Sequence, residues 1–268
     1  MKNDKSKESF GRLLDIMNEL RAKCPWDMKQ TIESLRYLTI EETYELADAI
    51  LENDMDEIRK ELGDILLHIV FYAKIASETG DFTIEDVING ICDKLVFRHP
   101  HVFGDVSVRD AEDVKTNWEN LKIKEGNKSI LAGVPKSLPA VVKANRIQDK
   151  VRAVGFDWDV REQVWEKIEE ELGELKTEIE QMNKDKMEAE FGDFFFSMVN
   201  AARLYGIDPE AALERTNIKF TKRFNYLEQK TIKAGRPLTS MTLDEMNVIW
   251  EEAKTAILAN EINPNPNS

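Results

Sequence analysis

Apolar residues along this chain recur mostly every three or four positions, the spacing that places them on one face of an α-helix. The first such series consists of Phe10, Leu13, Leu14, Met17 and Leu20. That helix should end at the CPWD turn, residues 24–27. The same periodicity predicts further helices at residues 31–52, 54–78, 83–98, 110–124, 140–153, 160–182, 184–205, 209–234 and 242–259. No stretch is typical of a strand, so the sequence predicts an all-α fold.

A break in the helical periodicity divides the chain into two parts. The segment GNKSILAGVPKSLP, residues 126–139, has the glycine, proline and serine content of a linker. We therefore predict an N-terminal module at residues 1–125, a linker at 126–139 and a C-terminal module at 140–260. The polar residues 261–268 should form a disordered tail.

Four acidic residues of the N-terminal half recur in the C-terminal half at a constant distance of 129 positions. The first set is Glu42, Glu45, Glu61 and Asp64, and the second set is Glu171, Glu174, Glu190 and Asp193. A group of cations with a tryptophan also recurs, as Lys94, Arg98, Trp118 and Lys122 and then as Lys219, Arg223, Trp250 and Lys254. A register that holds across a whole helical hairpin indicates tandem duplication of one helical module.

The repeated acids border a buried helix face and do not point away from it. Helical geometry places Glu171 and Glu174 on a stripe beside an apolar stripe, and Glu190 with Asp193 beside another on the next helix. When the two helices pack antiparallel, four carboxylates can converge, and they repel one another unless a cation balances them. Oxygen ligands without His or Cys favour Mg²⁺ or Mn²⁺. The alternative is an acidic stripe that is simply solvated.

The charge of the chain restricts its partners. A formal net charge of −14 argues against non-specific binding to nucleic acid or to an anionic membrane. A small phosphorylated substrate is compatible with this charge if a metal ion and local Lys or Arg residues reverse its sign. The two cysteines suggest neither a disulfide framework nor a zinc site. With no signal peptide and no membrane-spanning apolar run, the expected location is the cytoplasm.

Eight short motifs carry a resemblance to a known protein family. They are CPWD at 24–27, EETYE at 41–45, ELGD at 61–64, RHPHVF at 98–103, GFDW at 155–158, EEELGE at 169–174, EFGD at 190–193 and KFTKRF at 219–224. In combination they resemble the MazG family of nucleoside triphosphate pyrophosphohydrolases, within the all-α NTP pyrophosphatase superfamily. The resemblance extends over both modules and omits only the tail.

The resemblance implies hydrolysis of a nucleoside triphosphate to the monophosphate and pyrophosphate, with Mg²⁺ and an activated water. It implies a metal site formed by Glu171, Glu174, Glu190 and Asp193, which together with Glu170 make up the catalytic group. Lys219 and Arg223 would face the triphosphate, and Trp250 with Lys254 would complete the nucleotide pocket. The family also forms dimers whose helical hairpins complete a four-helix bundle, so we expect a homodimer.

The two modules differ beside the repeated acids. In the C-terminal module, Lys167 and Lys186 each stand one helical turn before an acid of the set, and the corresponding residues of the N-terminal module are Leu38 and Glu57. Because a leucine and an acid cannot bind a triphosphate, we predict that the C-terminal module is the better catalyst. The N-terminal acids remain a second possible metal site. A second possible substrate site consists of Lys94, Arg98, Trp118 and Lys122.

A histidine and two tryptophans are weaker candidates for the site. His68 could join the N-terminal acids, but its counterpart is Ser197, so a hydrogen-bonded interior histidine is the expectation. Trp26 and Trp158 could stack on a base, although packing is the commoner use of such residues.

Other functions remain open from sequence. A nucleotide-binding regulator could keep the same fold with little turnover, and a helical assembly protein would require no metal at all. A ferritin-like di-iron protein fits poorly, because that architecture uses Glu-x-x-His pairs.

Overall fold

The computed structural model describes residues 2–110, 113, 114, 117, 118, 121 and 129–262. Within these residues the secondary structure is helical and none of it is β-strand, which confirms the all-α prediction. The chain divides into two compact units, Met1–Glu125 and Gly126–Ser268, called here the first and second unit. In the described part of the chain, no helix combines the length and apolarity that crossing a bilayer requires.

The first unit is built mainly from helices that the apolar periodicity predicts. They are α1 (Lys2–Lys23), α2 (Ile32–Glu52), α3 (Met55–Thr79), α4 (Ile84–Arg98) and the short α5 (Pro100–Phe103). The CPWD segment leads into a 3₁₀ turn at Asp27–Lys29, between α1 and α2. Of the helix predicted at 110–124, residues 113, 114, 117, 118 and 121 are helical, and the others after residue 110 lie outside the described residues.

The second unit repeats this order with small differences at the helix ends. Its helices are α6 (Ala140–Arg152), α7 (Val164–Glu180), α8 (Lys184–Leu204), α9 (Pro209–Lys233) and α10 (Leu243–Ile262). A 3₁₀ turn at Arg161–Gln163 precedes α7, where the sequence predicts α-helix. Helix α10 continues beyond the predicted end at residue 259 and includes residues 261 and 262 of the predicted tail, and residues 263–268 lie outside the described residues.

The predicted linker is partly structured in the second unit. Ile130–Gly133 forms a 3₁₀ turn, and the ammonium group of Lys150 on α6 donates a hydrogen bond to the Ile130 carbonyl oxygen at 3.0 Å. Lys150 is only 2% exposed. Burial of a charged side chain is costly unless its hydrogen bonds are made, so this contact ties the segment to α6.

The same capping chemistry closes the hairpin in both units. Asp54 caps α3 by accepting hydrogen bonds from the backbone of Asp56 and Glu57, and Asn183 caps α8 by accepting one from the backbone of Lys186. Asp54 and Asn183 are 129 positions apart. A side-chain oxygen at the N-cap satisfies a backbone N–H that the helix itself leaves without a partner. The duplicated register thus extends to the turn that brings the acidic helices together.

Candidate active site

The α7–α8 hairpin brings repeated acids of the second unit together. One carboxylate oxygen each of Glu171, Glu174 and Glu190 lies within 4.8 Å of the other two. Burial, followed by the charges of neighbouring acids, raises the pKa of Glu190 above its usual value. The Glu190 Oε2 atom is buried and has no hydrogen-bond partner among the described residues. This environment disfavours a bare carboxylate cluster and suits a cation.

Asp193 lies beside this three-acid group, not within it. Its charge contributes to the raised pKa of Glu190, so the two carboxylates are neighbours on α8. Asp193 also lines a cavity together with Glu171, so it faces the same space from the adjacent turn. Glu170, which the resemblance assigns to the catalytic group, instead pairs with Lys167 at 2.8 Å and is more than half exposed.

The two lysines that distinguish the second unit both contact carboxylates. The Lys167 Nζ atom lies 2.7 Å from Glu171, and hydrogen bonds to Glu170 and then Glu171 raise the pKa of Lys167. Lys186 pairs across the hairpin with Glu178 at 3.3 Å, although its sequence position suggested Glu190. Both ammonium groups therefore lie at the edge of the acidic cluster.

Glu178 is a further acid of this site that the predicted set does not contain. Its side chain is mostly buried, its Oε2 atom has no partner within the described part of the chain, and its charge helps to raise the pKa of Glu190. The signal was present in the sequence, because Glu178 continues the stripe of Glu171 and Glu174 by one more turn.

The predicted phosphate-binding group comes together only in part. The guanidinium of Arg223 on α9 lies 5.9 Å from the ring centroid of Trp250 on α10, and Phe220 also contacts that ring. The Arg223 Nε atom is buried without a partner among the described residues. Lys219 is exposed one turn before Arg223, and Lys254 pairs with Glu251.

The first unit has a matching acidic cluster. Oxygens of Glu42, Glu45 and Glu61 lie within 4.8 Å of one another. The pKa of Glu61 is raised, first by burial and then by the charges of Glu42 and Asp64, and its Oε2 atom has no partner in the described residues. Asp64 thus lies beside the three-acid group of the first unit, as Asp193 does in the second.

The cation and aromatic group of the first unit resembles that of the second. The guanidinium of Arg98 lies 5.4 Å from the centroid of the Trp118 ring, as Arg223 does with Trp250. Lys94 is exposed one turn earlier. Lys122, the fourth residue predicted for this group, lies outside the described residues.

The interpretations of His68 and the tryptophans need correction. His68 is buried as expected, but its Nδ1 atom has no hydrogen-bond partner in the described part of the chain. Trp26 is 55% exposed and Trp158 is 40% exposed, so neither is a packed core residue. Both stand in turns, where few neighbours are available to cover a large ring.

A cavity of about 530 Å³ adjoins the acids of the second unit. Lys167, Glu171 and Asp193 line one part of it, and the turn at residues 155–158 lines another. Trp250, which the resemblance assigns to the nucleotide pocket, is not among the described residues that line it. The cavity has the volume of a small-molecule site and combines apolar walls with a few polar groups.

An ion pair holds the turn at the cavity. Arg203 on α8 donates two hydrogen bonds to the carboxylate of Asp157, at 3.0 and 2.6 Å, and also donates to the side-chain oxygen of Asn200. Burial alone would raise the pKa of Asp157, but hydrogen bonds from Arg203 and from the Trp158 backbone, together with nearby positive charge, lower it overall.

Comparison with known proteins agrees with this arrangement. The family model described as the MazG nucleotide pyrophosphohydrolase domain matches residues 30–103 and 161–227, which contain both acidic hairpins. The nucleoside triphosphate pyrophosphohydrolase/pyrophosphatase MazG of Thermotoga maritima is 45% identical over 250 residues, covering 91% of this chain and 95% of that protein. The nucleoside triphosphate pyrophosphohydrolase of Escherichia coli K12 is 41% identical over 252 residues, covering 91% and 96%.

The uncharacterized protein YabN of Bacillus subtilis is 48% identical over 251 residues, which cover 91% of this chain and 51% of that protein. The two segments that the family model matches contain the repeated acids and the hairpin turns of both units. This chain belongs to the MazG nucleotide pyrophosphohydrolase family.

Proposed function

We propose that this protein hydrolyses ribo- and deoxyribonucleoside triphosphates to nucleoside monophosphate and pyrophosphate, with Mg²⁺ as the cofactor and chiefly in the second unit. The observation that carries the proposal is the juxtaposition of three convergent carboxylates, a lysine and a cavity within that unit. Family membership and the names of the relatives support the reaction class.

The carboxylates of the second unit have the properties expected of a site for a divalent cation. Glu171, Glu174, Glu190 and Asp193 would hold Mg²⁺, because they offer only oxygen ligands, which hard cations prefer. The raised pKa of Glu190 and its unpaired oxygen are what such a cluster shows when no cation balances it. When bound, Mg²⁺ would neutralise phosphate charge and activate water, and Mn²⁺ could serve in the same way.

The protein's own cations complete the proposed triphosphate site. Lys167 and Lys186 stand at the edge of the acidic cluster and can move from Glu171 and Glu178 to phosphate oxygens when a substrate enters. The cation group around Arg223, with Lys219, Trp250 and Lys254, would neutralise further phosphate charge. Fixed cations directed at a phosphoryl group stabilise charge that develops in the transition state.

The first unit has the acids but lacks the two lysines beside them. Leu38 takes the position of Lys167 and packs against the core cluster of Met17, Leu35, Val70 and Phe71. Glu57 takes the position of Lys186 and pairs with Lys60. We infer that Glu42, Glu45, Glu61 and Asp64 can hold a metal ion while this unit contributes little turnover.

We also propose that the protein is a homodimer. Several helices carry apolar side chains that remain largely exposed, including Ile91 at 46% and Leu95 at 42% on α4 and Phe195 at 61% on α8. Ile91 and Leu95 are one helical turn apart and so form part of a continuous apolar stripe. Light scattering coupled to size-exclusion chromatography tests this: a mass near 30.9 kDa at micromolar concentration would contradict it.

The reaction is tested by measuring Mg²⁺-dependent release of pyrophosphate from a panel of NTPs and dNTPs. The intact protein is compared with Glu171→Gln and, as the matched control in the first unit, Glu42→Gln. Loss of activity only in Glu171→Gln is the expected result. Loss only in Glu42→Gln would reverse the assignment of the units, and loss in both would mean that they are coupled. If the folded protein releases no pyrophosphate, the proposed hydrolase activity is contradicted and a nucleotide-binding regulator is favoured.

A further inference from the structure

The cavity of the second unit extends away from the acidic cluster toward a part of the fold that the triphosphate does not need. Its far walls come from α6, from the turn at residues 155–158 and from the later part of α8. Ile147, Val151, Phe156 and Phe196 supply apolar surface there. A nucleotide whose phosphates lie at the acids must place its remaining atoms nearby, and this cavity adjoins them.

Two amide side chains line this far part, and the surrounding hydrogen bonds define their orientation. The Gln148 Nε2 atom donates to the Phe196 carbonyl oxygen at 2.8 Å, so its Oε1 atom is left as an acceptor. The Asn200 Oδ1 atom accepts hydrogen bonds from Arg203 at 3.1 and 2.7 Å, so its amide N–H groups are left as donors. These two amide groups therefore offer an acceptor from Gln148 and a donor from Asn200.

The acceptor atom of Gln148 is buried without a hydrogen bond from the described residues. Gln148 is only 3% exposed, and its Oε1 atom has no hydrogen-bond partner among the described residues. A buried polar atom without a partner destabilises the fold unless a ligand or water completes it. An unpaired acceptor in the wall of a cavity points to a ligand that carries a donor.

The first unit has apolar residues at three of the corresponding positions. Counting back 129 positions, Lys167, Phe196 and Asn200 correspond to Leu38, Leu67 and Phe71. Phe71 is part of the core cluster of the first unit, and Leu38 and Leu67 pack against that cluster. Apolar side chains thus pack together in the first unit where the second unit has cavity-lining residues.

We propose that this cavity is the nucleobase subsite, in which Gln148 accepts from the base and Asn200 donates to it. The proposal rests on the proposed function, because the acids would hold the triphosphate of the same molecule. Adenine, guanine, cytosine and uracil each carry a donor beside an acceptor on the Watson–Crick edge. Gln148 and Asn200 would therefore bind any of these bases and discriminate only weakly among them. Trp158, at the rim, would contact the face of the ring.

Steady-state kinetics with three variants test the subsite. Asn200→Phe introduces the residue that the first unit has at this position, Trp158→Ala removes the ring at the rim, and Trp26→Ala is the matched control, an exposed tryptophan in a turn of the first unit. The readouts are the KM for ATP and the inhibition constant of inorganic tripolyphosphate, which has phosphates but no base. A third measurement compares ATP with purine riboside triphosphate, which lacks only the exocyclic amine.

The expected results distinguish an effect on base binding from an effect on phosphate binding. Asn200→Phe should raise the KM for ATP about tenfold or more and Trp158→Ala should raise it several-fold, with tripolyphosphate inhibition unchanged within twofold and Trp26→Ala like wild type. Removing the exocyclic amine, the donor to Gln148, should raise KM about tenfold in the wild type. It should have little effect in Asn200→Phe, because the phenyl ring keeps the base away from Gln148. Circular dichroism checks folding, and if Asn200→Phe is misfolded, Trp158→Ala and the amine comparison decide.

Two outcomes would contradict the proposed nucleobase subsite and leave the proposed function intact. In one, the variants leave the KM for ATP within twofold of wild type. In the other, tripolyphosphate inhibition weakens in parallel with KM, which would mean a disturbed phosphate site. If the wild type releases no pyrophosphate, the proposed function fails, and calorimetry with Mg²⁺ and α,β-methylene-ATP then decides the subsite. Weaker binding in Asn200→Phe and Trp158→Ala, but not in Trp26→Ala, would support it; equal binding would refute it.

Discussion

The buried ion pair between Asp157 and Arg203 should stabilise the second unit measurably, and Asp157→Asn tests this. The carboxylate accepts two hydrogen bonds from Arg203, and the two side chains are 16% and 6% exposed. Arg152 lies farther away, at 3.5 Å. Asparagine has nearly the same shape as aspartate, so the variant removes the charge and one of the two acceptors while preserving the packing.

The expected loss of stability depends on the hydrogen bonds that Arg203 keeps in the variant. Leaving one partner of a buried pair uncompensated costs about 3–5 kcal/mol. Arg203 keeps its bonds to Asn200, and the new amide still offers one oxygen, so we expect a loss of about 2 kcal/mol. For a unit of this size that corresponds to a fall of about 4–8 °C in the melting temperature.

The dependence on pH supplies a second test of the same reasoning. The folded-state pKa of Asp157 is lowered, so its contribution is fully present above the unfolded-state pKa of about 3.9 and is lost as pH falls through the folded-state pKa. Urea titrations should therefore show a constant difference between wild type and Asp157→Asn from pH 8 to pH 5, and a smaller one at pH 3.5.

The control is Glu162→Gln, in the ion pair with Arg161, because both side chains are more than half exposed. Exposed pairs contribute little, so no measurable change is expected. If Asp157→Asn leaves the urea midpoint at pH 7 unchanged, or if its effect is the same at pH 3.5 as at pH 7, the stabilising role of the charge is refuted.

Three further predictions concern the acids, the lysine and a helix cap. Glu190→Gln should raise the melting temperature in EDTA, because it relieves repulsion among buried acids, and should abolish stabilisation by Mg²⁺ in differential scanning fluorimetry. Lys167→Met should raise the KM for ATP about fivefold or more while leaving Mg²⁺ binding detectable by calorimetry, since we propose that Lys167, which pairs with Glu171, binds phosphate, and an ammonium group is not a metal ligand. Thr83→Ala removes the capping box of α4 and should destabilise the first unit by about 1 kcal/mol in urea, whereas Ser77→Ala, which removes only a hydroxyl bond to a carbonyl within α3, should have a smaller effect.

The sequence predicted the acidic cluster well because two independent periodicities agree. The helical repeat decides which face each acid occupies, and the distance of 129 positions shows that the same faces recur. Glu171, Glu174 and Glu190 consequently converge as expected. Helix ends were also predictable to within a few residues, because Asp54 and Asn183 are strong N-cap residues that stand just before helices.

Contacts between different helices were harder to predict. Lys186 pairs with Glu178, eight residues away across the hairpin, and only the packing of α7 on α8 determines that choice. The cavity depends on where α6 and the turn at 155–158 lie relative to α8, which no local pattern encodes. Trp26 is 55% exposed in the turn between α1 and α2, and exposure of this kind is a property of the tertiary structure.

The comparison of Lys167 with Leu38 allows two explanations of why the first unit should be the weaker catalyst. In one, the missing lysine is sufficient. In the other, the space for the base is filled by Leu67 and Phe71, so restoring the lysine cannot help. These explanations make opposite predictions for a variant that carries Leu38→Lys.

The test uses Glu171→Gln as the background, so that activity of the second unit does not mask a gain in the first. Adding Leu38→Lys should not restore pyrophosphate release, and it should lower the stability of the first unit because it replaces an apolar side chain that packs against Phe71 with an ammonium group. Restored release would mean that the lysine alone limits the first unit. Release restored only when Phe71→Asn is added would instead show that a duplicated site lost its activity when its base-binding space became core.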